Sequence, residues 1–172
     1  MIIGGGGPSD SARIDLQTRR KNHIANERLK PRAPAALAAA AKMHERPGIE
    51  NRSLDSTYNC MGMVFGCRRT AIDPCFFSLI QEDDGYRKLT PGERPRIGDI
   101  AVYTSTGGAV VHVGVVFEAE AKVDTCTSKI TVLSQWGFDG EYIHPLDDYP
   151  VGLEVGSGKL GRSIWTERDR NP

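Results

Sequence analysis

The run Val110-Val111-His112-Val113-Gly114-Val115-Val116-Phe117 commits the middle of the chain to a β-strand. Valine is stiff at χ1 and suits a pleated surface. A strand this apolar needs partners on both edges and cover over its faces. Partners are at hand: Ile97 to Tyr103 leads through the turn Thr104 to Gly108, Lys129 to Gln135 makes a third strand, and Tyr142 to His144 a fourth between Gly140 and Pro145. Cover lies upstream. Cys60 to Cys67 is apolar nearly all round, as in a buried helix, with Asp55, Ser56 and Asn59 as capping candidates and an end near Arg68-Arg69. Asp73-Pro74 opens a second short helix through Phe76, Phe77, Leu79 and Ile80, closed by Asp84-Gly85. Helices first and a meander after predict an α+β fold, a buried helix packed on a small antiparallel sheet.

Residues 1–50 have another texture. Gly4 to Gly7 followed by Pro8 resembles a linker, Arg19-Arg20-Lys21 is a basic cluster, and Ala35 to Met43 is a helix with little to bury, ending at Pro47. The expectation is a flexible basic extension, 1–50, ahead of one domain, 51–172. No aromatic residue interleaves with the basic cluster, which argues for a solvated tail over a nucleic-acid contact.

With 22 basic and 22 acidic side chains, net charge gives no reason to expect nucleic acid or a membrane surface as partner. No stretch approaches the roughly 18–20 apolar residues of a membrane span. Met1-Ile2-Ile3 ahead of four glycines has neither the basic nor the apolar region of a secretory signal, so the expected compartment is cytoplasmic, or the protein is exported by another route. Cys60, Cys67, Cys75 and Cys126 would then be reduced, and neither they nor the histidines show zinc-ligand spacing. No metal or cofactor is expected.

Two residues carry chemistry. Cys60 opens the buried helix, where unpaired N–H groups and the positive dipole end favour thiolate over thiol. His112 interrupts the valine run on the face that carries Gly114, whose missing side chain leaves room for another group. A histidine is the usual base for a thiol. The imidazole needs a third group to orient it, and Gln135, Ser134, Asp139, Glu141 and His144 are available. Gln135, able to accept through its amide oxygen, is the expected third member, with Ser134 and His144 as rivals.

The blocks Asn59-Cys60-Met61-Gly62, Gly98-Asp99-Ile100 and His112-Val113-Gly114-Val115-Val116 occur in an order that resembles the NlpC/P60 and CHAP branch of papain-like cysteine hydrolases. The resemblance spans roughly residues 51–145, with Asn59 where an aspartate is usual and Met61 where a serine is. It implies a papain-like core in which Cys60 attacks an amide carbonyl and His112 serves as base and then acid. The oxyanion would meet the Cys60 N–H and a donor from Tyr58 or Asn59. The implied activity is a cysteine amidase or peptidase acting on a peptide, protein or peptidoglycan amide. Two alternatives share the residues: a transglutaminase- or deamidase-like effector on protein side chains, and a non-catalytic module using Tyr103, Trp136 and Tyr142 as a ligand groove.

Overall fold

The computed structural model describes residues 13–120, 129–150 and 160–168. The valine run forms the long strand β6 (Val110–Glu120) at the centre of a seven-stranded sheet. β5 (Ile100–Thr104) and β7 (Lys129–Gln135) flank it. β8 (Glu141–Pro145) and β2 (Glu50–Ser53) continue on the β7 side; β9 (Gly161–Thr166) and β4 (Arg87–Lys88) continue beyond β5. Every pairing is antiparallel. The fold is α+β, as the order of elements implies. No helix among the described residues is long and apolar enough to cross a membrane.

α2 (Cys60–Phe65) lies on one face of the sheet. Its residues Cys60 and Met61 share a core with Ile100, Val102 and Val113 from the strands and with Phe77 and Ile80 of α3 (Phe77–Asp84). Asn59 caps α2 by accepting the Gly62 N–H at 2.9 Å and anchors it by donating to the Ile72 carbonyl at 2.8 Å. The helix ends at Gly66, short of the expected Arg68-Arg69. There the chain reverses through Cys67 and Arg68 with φ of 52° and 61°. Arg68 then reaches the buried Glu141 at 2.5 Å, which also accepts the Tyr58 hydroxyl at 2.9 Å. The other face carries Ala101, Tyr103, Val132 and Leu160, so the sheet is covered on both sides.

The expected flexible extension is instead woven into the domain from Arg13 on; Met1 to Ser11 and Ala12, with the glycine run, lie outside the described residues. Ile24 is 1% exposed and belongs to the core that holds Cys60. β1 (Asn26–Glu27) pairs with β3 (Ala71–Ile72) in a separate two-stranded sheet. The basic cluster meets the acidic end of α3: the Arg19 guanidinium donates to Glu167 and to the Asp84 carbonyl, and Thr18 and Asn22 both donate to Asp83, at 2.6 and 2.7 Å. α1 (Pro34–His44) buries Leu37, Ala40 and His44.

Candidate active site

Cys60 is the first residue of α2 and is 8% exposed. Burial pushes its thiol up. The N–H groups of Val113, Met61 and Cys60 itself, which lie against the sulfur, pull the other way and are outweighed. The Val113 N–H belongs to the peptide that links it to His112, so the sulfur is held at the backbone that carries the imidazole. Among the described residues no hydrogen bond joins the two side chains.

His112 is buried beside Tyr103, with ring centroids 5.4 Å apart. Its Nε2 lies 2.9 Å from Ser134 Oγ. The same oxygen lies 2.7 Å from His144 Nε2 and accepts the Trp136 indole N–H at 3.0 Å. The room at Gly114 is taken up by β7: a Cβ built there would stand 2.5 Å from Val132 Cγ1 and 2.8 Å from Ser134 Cβ. Burial, with His144 as the next cause, depresses His112 to about 3, and burial depresses His144 as well. At neutral pH the resting site is therefore a thiol and a neutral imidazole.

Gln135, the expected third member, does not reach the imidazole. Its amide nitrogen donates to the carbonyls of Asp55 at 2.9 Å and Gly137 at 3.1 Å, tying the loop before α2 to the turn after β7. Consecutive strand residues face opposite ways, and it is Ser134 that turns toward His112. Glu141 is engaged by Tyr58 and Arg68, and Asp139 lies 3.0 Å from His44 Nε2 and pairs with Arg32. Trp136, expected only as a groove aromatic, roofs the serine: it stacks on Tyr142 at 4.5 Å and leans on His144 at 5.3 Å. Its place two residues after Ser134 was the available signal.

The oxyanion donors also differ from expectation. Tyr58 spends its hydroxyl on Glu141 and Asn59 its amide on Ile72. In the first turn Gly62 and Met63 donate to the Asn59 side chain and carbonyl, which leaves the N–H groups of Cys60 and Met61 facing the sulfur. Tyr103, Trp136 and Tyr142, the candidate groove aromatics, are all 2% exposed or less and are core. A groove of about 580 Å³ reaches Asn59, next to Cys60, but is lined by neither Cys60 nor His112. Ile14, Ala25, Leu29, Ile72, Phe76 and Phe138 give it apolar walls. Among the described residues no group of three or more His, Cys, Asp or Glu could hold a metal ion.

No protein-family model, curated protein or solved structure matches this chain.

The thiol environment makes a direct prediction. Cys67 and Cys75 are exposed and Cys60 is buried with its ionisation disfavoured. Iodoacetamide at pH 7.5, followed by peptide mass mapping, is expected to label Cys60 last of these three, by about tenfold or more. The helix start alone implies the reverse order. Preferential labelling of Cys60 would mean that it rests as a thiolate.

Proposed function

We propose that this protein is a cysteine-dependent amide hydrolase, similar in plan to the NlpC/P60 and CHAP branch of papain-like enzymes, with Cys60 as nucleophile and His112 as base. The observation that carries this reading is the sulfur lying at the Val113 N–H, one peptide from His112, while Ser134 engages Nε2 of the imidazole. A third group that orients an imidazole base is part of what acyl transfer requires.

With a neutral resting pair, attack would go by general-base catalysis rather than from a preformed thiolate. As Cys60 Sγ adds to the amide carbonyl, its proton passes to His112. The oxygen that gains charge is met by the N–H groups of Cys60 and Met61. The imidazolium then protonates the departing amine, the C–N bond breaks, and a thioester remains on Cys60. Water, deprotonated by His112, releases the acid. The groove at Asn59 would take the acyl side of an extended peptide against Ile72 and Phe76.

A small activated ester tests the chemistry without the natural substrate. With p-nitrophenyl acetate on protein whose exposed Cys67 and Cys75 are replaced by serine, mass spectrometry with peptide mapping is expected to find one acetyl group on Cys60, released over time. Cys60→Ala and His112→Ala are expected to lose it. Acetylation of Cys60→Ala at the wild-type rate would remove this reading. On candidate protein targets, a cut chain marks a peptidase, whereas a gain of about one dalton marks deamidation by the same acyl-enzyme.

A further inference from the structure

We infer that His144 is a positioning residue for His112: acting through Ser134, it holds the imidazole in the tautomer whose Nδ1 is bare. The consequence for catalysis rests on the reading of Cys60 and His112 as nucleophile and base; the tautomer itself does not.

The assignment follows from counting protons on one buried hydroxyl. Ser134 Oγ has one hydrogen to give and two lone pairs to receive. The Trp136 indole can only donate, so it occupies one lone pair at 3.0 Å. Two imidazole nitrogens remain, His112 Nε2 at 2.9 Å and His144 Nε2 at 2.7 Å, and one of them must give while the other receives. His144 decides which. Its Nδ1 lies 2.9 Å from the Pro145 carbonyl oxygen, which cannot donate, so Nδ1 carries the hydrogen. A neutral His144 then has a bare Nε2, which receives the Ser134 hydroxyl hydrogen. The remaining lone pair of Oγ accepts the Nε2–H of His112. By elimination His112 Nδ1 is the basic nitrogen.

Burial makes this arrangement stiff. Ser134 and His144 are fully buried, and Trp136 and His112 nearly so, so water offers no alternative partner at the hydroxyl. With the His144 acceptor removed, His112 Nε2 is the one acceptor left to the serine hydrogen among the described residues. His112 must then carry its hydrogen on Nδ1 and can no longer take a proton there. The arrangement extends a base–orienter pair by one member, with the serine as the joint.

The experiment is ring ¹⁵N NMR on the full chain with labelled histidine, assigned by comparison with His112→Gln. The wild type is expected to show His112 protonated at Nε2 and His144 at Nδ1. His144→Phe, which keeps a ring but no acceptor, is expected to move the His112 hydrogen to Nδ1. His144→Gln places an amide oxygen near the lost nitrogen and is expected to restore Nε2–H. Acetylation of Cys60 should follow the tautomer, falling by as much as about 10⁴-fold in His144→Phe, the scale of a wrong-tautomer defect in other triads, and recovering in His144→Gln. A wild-type His112 protonated at Nδ1 overturns the inference whether or not the variants fold. So does a His144→Phe protein that keeps Nε2–H. Correct tautomers in a protein that never acetylates Cys60 would support the inference and remove the hydrolase reading instead.

Discussion

Gly62→Ala is expected to destabilise the protein by about 3 kcal/mol or more, at the upper end of what overpacking costs. A Cβ at this position would stand 1.7 Å from the Thr70 carbonyl oxygen and 2.8 Å from its carbon, both backbone atoms. A flexible side chain could swing away from such a clash; this backbone cannot. It is held in place, since Ile72 is held by the Asn59 side chain, Ala71 pairs with Glu27 and the Thr70 hydroxyl donates to Asn26. Relief would require lifting α2 off the strand that follows it and carrying Cys60 with it. Gly107→Ala is the control, because its nearest neighbour is the Ser105 hydroxyl at 3.8 Å, and it is expected to stay within about 0.5 kcal/mol of wild type. Urea midpoints for the two variants decide the matter. A Gly62→Ala protein as stable as Gly107→Ala would mean that the close approach of α2 to Thr70 is not what seats the cysteine.

The parts of the fold that were legible in the sequence are those with local causes. The valine run specifies β6, Asn59 caps α2, Asp73 with Pro74 opens the turn before α3, and Gly85 closes α3 in the left-handed conformation at φ 78°. What escaped has non-local causes. Strands β1, β3 and β4 are two residues each, too short to show any period. Ile24 is an isolated apolar residue in a polar stretch, and only its tertiary neighbours reveal it as core.

The candidate site divides along the same line. Cys60 and His112 stand out by residue type in an apolar setting, so both could be read directly. The choice between Ser134 and Gln135 could not, because β7 is covered on both faces and Val132 and Gln135 are both fully buried. Alternation tells faces apart only where one of them is wet. The ionisation of Cys60 was misjudged for a related reason. A helix start is visible in sequence and argues for thiolate; burial is not visible, and here it is the larger effect.

The buried imidazoles of His112 and His144 are expected to make the protein lose stability on mild acidification. His112 has a folded-state value of about 3 against about 6.5 in an unfolded chain. Above pH 6.5 neither state holds the extra proton and stability is at its plateau. Below it the unfolded chain takes up a proton that the native state refuses, so the unfolding free energy falls by about 1.4 kcal/mol per pH unit for this one group. The loss continues until the native state also accepts the proton, near pH 3. His144 is depressed for the same reason and adds in the same direction. Between pH 6.5 and 5 ordinary carboxylates remain ionised in both states, so this window isolates the histidines. There His112 alone is expected to cost about 2 kcal/mol. Urea midpoints at pH 7, 6 and 5 measure the slope, and His112→Gln, whose amide can still donate to Ser134, is expected to reduce it to the share that His144 contributes. Parallel slopes in the two proteins would mean that His112 accepts a proton in the folded state near its ordinary value. The same measurement bears on mechanism. On the proposed reading, a buried imidazole that resists charging would hold a proton at neutral pH when developing negative charge on an attacked carbonyl stands beside it, which would confine the charge separation to the reacting complex.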